Sequence, residues 1–154
     1  MRAIFAAGCF WGVEAEFKKL QGVSNTEVGY SGGSTSNPNY EDVCKGTTGH
    51  AEVVAVDYDP SIISYDSLLK TFWQIHDPTQ LNRQGVDVGT QYRSEVYYLD
   101  GEQQQAAQKS LAAQQEKLSQ AIVTKITPAA TFFRAEEYHQ DYFTKNPGTG
   151  CRLN

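Results

Sequence analysis

An α+β fold around a mostly antiparallel sheet is predicted for this chain of 154 residues, and three observations predict it. Residues 2–7 and 51–58 are short apolar runs closed by turn-forming residues, so they read as buried strands. Residues 10–20 and 65–76 carry Phe10, Val13, Phe17, Leu20 and Tyr65, Leu68, Leu69, Phe72 at spacings of three and four, the signature of one buried helix face. The elements alternate as β-α-β followed by β-α-β, with no internal repeat and no Pro- or Ser-rich linker. The length is that of one domain, 1–154.

Taken in order, residues 2–7 form the first strand, and the helix over 10–20 stops before Gly22. Residues 23–30 form a second strand, ended by Ser31-Gly32-Gly33. A polar loop is expected from there to Gly49, and loops of that length in a compact domain are often functional. The strand over 51–58 has β-branched residues on both faces, which predicts burial on both sides. Ser64 caps the helix over 65–76, and Asp77-Pro78 stops it. Residues 78–92 read as a second long loop with Gly85 and Gly89. A strand over 95–99 follows, then a Gln- and Ala-rich surface helix over 102–121, a last strand over 122–126 and a short helix over 135–145. The order matches the ferredoxin-like, split-βαβ two-layer sandwich.

Composition excludes several classes of function. Thirteen Lys and Arg stand against eighteen Asp and Glu, giving a net charge of −5; phosphate-backbone binding needs clustered cations, so no nucleic-acid partner is expected. No apolar run approaches the roughly 20 residues that span a bilayer, and no signal peptide precedes the first strand, so no membrane association and a cytoplasmic location are expected. Three cysteines, Cys9, Cys44 and Cys151, are too few and too scattered for a disulfide framework. Without a CxxC or HxxxH pair, no structural metal is expected.

The residues with chemical potential start at Gly8-Cys9-Phe10-Trp11-Gly12. Cys9 stands between a strand end and a helix start, where backbone N–H groups lack partners and thiolates are favoured. A small buried residue at a packed junction is the bland alternative; the flanking glycines, which admit a second group, favour chemistry. Glu52 shares a strand face with Val54, Val56 and Tyr58. Inside, its charged form would be disfavoured and it could serve as a proton donor; at the strand edge it would be a solvated carboxylate, and the two readings weigh equally. Tyr40 and Tyr92 offer phenolic hydroxyls on the two long loops, with Asp87 beside Tyr92. His139 lines a site or packs. His50 and His76 read as packing and helix-closing residues. Cys151, on a glycine-flanked tail expected to be mobile, gains meaning only if it meets another sulfur. A thiol hydrolase or amidotransferase and a non-enzymatic redox switch remain open beside a thiol reductase.

Five motifs narrow the choice. Gly8-Cys9-Phe10-Trp11-Gly12, Tyr40-Glu41-Asp42-Val43, Gly49-His50-Ala51-Glu52, the stretch from Gly85 to Ser94 and Glu137-Tyr138-His139-Gln140-Asp141-Tyr142 occur in this order. Together they resemble the A-class peptide methionine sulfoxide reductases over nearly the whole chain, from Ala6 to Cys151. The resemblance implies that Cys9 attacks the sulfur of the S epimer of methionine sulfoxide, free or peptide-bound. It implies that protonated Glu52 serves the departing oxygen, which Tyr40 and Tyr92 hydrogen-bond. Phe10 and Trp11 would seat the methyl group, with Asp87 and His139 lining the substrate site. Cys9 would become a sulfenic acid that Cys151 resolves as a disulfide, reduced in turn by thioredoxin; no cofactor is implied, and a monomer is expected. Gly150 departs from the aromatic that many members carry before the recycling cysteine. Cys44 matches no recycling position and is expected to be structural.

Overall fold

The computed structural model describes residues 1–147. Among them, eight strands and five α-helices run in the order β1 (Arg2–Ala7), α1 (Phe10–Lys18), β2 (Val23–Ser31), α2 (Tyr40–Cys44), β3 (Ala51–Tyr58), α3 (Tyr65–Gln74), β4 (Arg83–Gln84), β5 (Asp87–Val88), β6 (Ser94–Tyr98), α4 (Gly101–Gln115), β7 (Lys125–Pro128), β8 (Phe133–Arg134) and α5 (Tyr142–Lys145). The main sheet has the order β7-β6-β1-β3-β2-β8. Helix α1 joins β1 to β2 with β3 lying between them, and α3 joins β3 to β6 with β1 lying between them. That is the split arrangement expected. Every pairing in the sheet is antiparallel except that of β6 with β7, which the crossover helix α4 makes parallel.

Alternation along the strands builds two apolar layers. Ala3, Phe5 and Ala7 of β1 and Val54, Val56 and Tyr58 of β3 face the helices, where they meet Phe10, Val13 and Phe17 of α1 and Leu68, Leu69 and Phe72 of α3. Phe5 stacks on Phe17 at 5.0 Å between ring centroids and lies 5.4 Å from Phe72. Each ring removed from water contributes about 1.5–3 kcal/mol. The opposite face, with Ile4, Ala6, Val53, Ala55 and Tyr97, is covered by Ala129 and Phe132. Gly29 on β2 permits this cover, because a Cβ there would lie 2.5 Å from the Phe133 carbonyl oxygen and 2.6 Å from the Phe132 ring.

The structure revises the sequence reading at four places. The loop after β2 contains α2, capped by the Asn39 side chain, which accepts from Asp42 N. The loop over 78–92 contains the β4–β5 hairpin and a 3₁₀ turn, Thr90–Tyr92. Helix α4 ends at Gln115, six residues short of the expected 121, because the Gln115 side chain leaves the helix to bind Gln120 O and Ile122 N; the following strand accordingly starts at Lys125. The expected helix over 135–145 is broken. Its first part is a 3₁₀ turn, Glu137–His139, and Asp141 adopts a left-handed conformation at φ 53°. Long-range contacts win here over local propensity: Gln140 exchanges hydrogen bonds with both backbone groups of Val28, and Asp141 N donates to buried Glu14.

Candidate active site

Cys9 is the N-cap residue of α1, half-buried where β1 passes into the helix. The turn is made by Gly8, whose φ of +100° lies in the left-handed region. A Cβ there would also press to 3.0 Å from the Gln84 side chain, so the β4–β5 hairpin sits directly against this turn. One residue on, Phe10 N donates to Glu52 Oε1 at 3.1 Å. Glu52 is 2% exposed. The register that pairs it with Tyr30 on β2 turns it inward to the start of α1 rather than outward at a sheet edge. The two readings of Glu52 left open by the sequence are thereby resolved in favour of the interior, beside Cys9.

The tyrosines converge on the same place. Tyr92 closes the 3₁₀ turn, and burial pushes its phenol well above the ordinary range, reinforced by the neighbouring acidic groups Glu52, Cys44, Asp87 and Cys9. Tyr40 is the first residue of α2, and burial likewise raises its phenol, followed by its interaction with the Cys44 thiol one turn on and by Glu52. Both phenols therefore remain protonated donors. Asp87, on β5, is raised by burial alone. Cys9, Glu52, Asp87, Tyr40 and Tyr92 thus form one cluster fed by five separate segments. Cys44, expected to be structural, stands in it as well: its thiol interacts with Tyr40 and is pushed up by burial.

An aromatic wall closes the other side. Phe10 is 1% exposed and packs on Tyr30 at 5.7 Å, His139 at 5.3 Å and Tyr40 at 6.5 Å. Trp11 is half-buried; its Nε1–H donates to His139 Nδ1 at 2.9 Å, and its indole stacks on Tyr142 at 3.7 Å. Accepting at Nδ1 fixes the proton of neutral His139 on Nε2. That nitrogen is buried and finds no partner among the described residues. Burial lowers the His139 pKa, against the pull of Glu136. His139 is thus a wall residue between Trp11 and Tyr40, whose ring lies 4.3 Å away. His50 does what packing requires, holding Gly33 N and Thr35 O, and His76 closes α3 on Phe72 O. Cys151 lies outside the described residues.

Two contributors escaped the sequence reading. Glu136 accepts from Tyr30 Oη and from Tyr40 N, each at 2.9 Å. Gln91 Nε2 donates to Cys44 O at 3.4 Å, tying the Tyr92 turn to α2. Neither carries a local signal, since each acts on a residue far away in the chain. A cavity of about 370 Å³ lies elsewhere, against Trp73, His76 and Gln114. The chemistry follows the convergence of polar groups and not that void. Among the described residues no group of three His, Cys, Asp or Glu side chains is placed to hold a metal ion, and no helix is long and apolar enough to cross a membrane.

This arrangement offers a thiol at a helix start, a buried carboxyl, two phenol donors and an apolar wall. The family model described as peptide methionine sulfoxide reductase matches residues 1–154. A peptide methionine sulfoxide reductase MsrA of Methanothermobacter thermautotrophicus is 56% identical, over 99% of this chain and 91% of its own. The crystal structure of Mxr1 from Saccharomyces cerevisiae in reduced form superposes with a TM-score of 0.94 at 37% identity, covering 100% of this chain and 92% of that one. Mxr1 in complex with Trx2 matches less closely, with a TM-score of 0.67 at 26% identity, over 99% of this chain and 86% of that one. With a matching family model over its full length and a relative more than half identical, this chain belongs to the peptide methionine sulfoxide reductases.

Proposed function

We propose that this chain reduces the S epimer of methionine sulfoxide, free or within polypeptides, with Cys9 as nucleophile and Cys151 as recycling thiol. The Cys9 thiolate, favoured at the N-terminus of α1, attacks the sulfoxide sulfur. Glu52 passes its proton to the oxygen as the S–O bond breaks, while Tyr40 and Tyr92 donate hydrogen bonds to that oxygen. Phe10 and Trp11 receive the methyl group, and Asp87 and His139 bound the substrate pocket. The hydroxyl so formed bonds to Cys9 Sγ as the bond between Cys9 and the substrate sulfur breaks with its electron pair left on the substrate, so methionine leaves and Cys9 is a sulfenic acid. The Cys151 thiol displaces that oxygen as water and forms a disulfide with Cys9. A thioredoxin-type dithiol returns both thiols to the reduced state and is itself oxidised; the Mxr1 structure in complex with Trx2 supports this choice of reductant.

The observation that carries the reading is the placement of buried Glu52 on Phe10 N, one residue from Cys9, with the Tyr40 and Tyr92 phenols held protonated in the same cluster. A hydrolase would need a histidine poised as base for Cys9. His50 and His76 are committed elsewhere, and His139 is occupied with Trp11 through Nδ1. The test is incubation with each sulfoxide epimer separately, using dithiothreitol as reductant. Methionine should form from the S epimer alone, and Cys9→Ser should abolish it without unfolding the protein. Turnover of the R epimer, or an active Cys9→Ser protein, would overturn the assignment.

A further inference from the structure

We propose that Glu136 is a positioning residue for the reductase step, acting through Tyr40: it anchors the first turn of α2 and so fixes where the Tyr40 hydroxyl stands. The inference rests on the reading that Tyr40 hydrogen-bonds the sulfoxide oxygen. Helix α2 has five residues and buries only Val43, so its own packing fixes it weakly. Its N-cap, Asn39, satisfies Asp42 N and leaves the N–H of Tyr40 without an intrahelical partner. Glu136 Oε2 takes that N–H from 96 residues away along the chain. The other oxygen, Oε1, accepts from the hydroxyl of Tyr30, whose ring is fully buried and packs on Phe10.

One carboxylate therefore ties α2 to β2, the strand that also pairs with Glu52. At the far end of α2, Gln91 holds the Cys44 carbonyl from the turn that carries Tyr92. The helix is pinned at both ends by residues of neighbouring segments, and the Tyr40 and Tyr92 phenols are set relative to one another by those pins. Burial opposes the charge of Glu136, but its donors outweigh burial and keep it ionised: Tyr40 N–H, its own N–H and Tyr30 Oη, with His139 nearby. An ionised carboxylate accepts at both oxygens, which the two donors require. Glu136 itself need not touch the substrate.

The test is a double-mutant cycle read as the rate of methionine release in a single turnover, with enzyme in excess over the S-sulfoxide of an acetylated, amidated methionine. Glu136→Met keeps the length of the side chain and removes both acceptors; displacing the Tyr40 donor in this way should slow release roughly 10- to 100-fold. Glu136→Gln keeps an acceptor for Tyr40 N and offers its amide N–H to the Tyr30 oxygen, so it should recover most of the rate. On a Tyr40→Phe background, Glu136→Met should cost no more than about threefold further, because the hydroxyl it positions is already gone. Far-UV circular dichroism and thermal melts check the fold, and Glu136→Ala serves the same cycle if Met is poorly accommodated. Full additivity of the two losses, or Gln no better than Met, overturns the proposal while leaving the Tyr40 assignment intact. A wild-type rate in Tyr40→Phe alone overturns the role of Tyr40, and this inference with it.

Discussion

At the scale of single residues, the site depends on where one carboxyl points. Glu52 begins a strand, and a strand start faces water or core according to register alone. Pairing with Tyr30 sends it inward to Phe10 N, where it is 2% exposed. In its proposed role as proton source for the departing oxygen, it should be replaceable by Gln in shape but not in function. Glu52→Gln should leave substrate binding nearly unchanged and lower the single-turnover rate of methionine release by about 10²–10⁴-fold, the usual range for a lost general acid. Quench-flow measurement of methionine against an unchanged dissociation constant checks this; a loss confined to binding would show that Glu52 only shapes the pocket. Cys9, Phe10 and Trp11 stood out in the sequence because their motif is contiguous; Glu52 was singled out too, but whether it faced core or water waited for the register with Tyr30. Glu136 and Gln91 were not legible, because each acts on a group distant in the chain through a single hydrogen bond, which no periodicity encodes.

At the scale of elements, periodic segments were legible and irregular ones were not. Strands β1, β2 and β3 and helices α1 and α3 follow their apolar spacing, and Ser64 caps α3 as expected. Helix α2 and the broken segment over 135–145 owe their shapes to long-range partners such as Glu136 and Glu14, and the β4–β5 hairpin is tied back by Gln84 to Asp77. The end of α3 carries a titrating group that makes its packing measurable. His76 donates through Nδ1 to Phe72 O and accepts from Ser94 Oγ through Nε2, and burial lowers its pKa to about 4. A histidine held neutral in the fold but free to protonate at about 6.5 when unfolded costs stability as the pH falls between those values. Its contribution is complete above pH 6.5 and declines by about 3 kcal/mol by pH 4. The stability gap between the wild type and His76→Gln, from urea unfolding, should therefore narrow by about that amount from pH 7 to pH 4. A gap independent of pH would mean that His76 is solvated or protonated in the native state.

At the scale of the whole molecule, the fold brings residues 140–142 back to the first helix. Gln140 is locked into β2, Asp141 is held by Glu14 and by Lys18 at 2.6 Å, and Tyr142 stacks on Trp11. The last residues before the tail thus lie against α1, whose first turn carries Cys9. Cys151 follows Asn146 by five residues, a length of chain that reaches at most about 18 Å. A thiol tethered this closely has an effective concentration in the millimolar range when the reach fits, so it outruns free thiols at lower concentration. In the proposed sequence the sulfenic acid on Cys9 forms before Cys151 acts. Cys151→Ser should therefore still release about one methionine per enzyme in a single turnover. It should then stall with thioredoxin, because no disulfide is made for the dithiol to reduce, while dithiothreitol sustains slower turnover by attacking the sulfenic acid directly. Mass spectrometry after one turnover of the wild type should find Cys9 joined to Cys151, with Cys44 still a thiol. The proximity of Cys44 to Tyr40 and Tyr92 makes the alternative concrete. A dominant Cys9–Cys44 disulfide, or normal thioredoxin-dependent turnover in Cys151→Ser, would transfer the recycling role to the thiol inside the site.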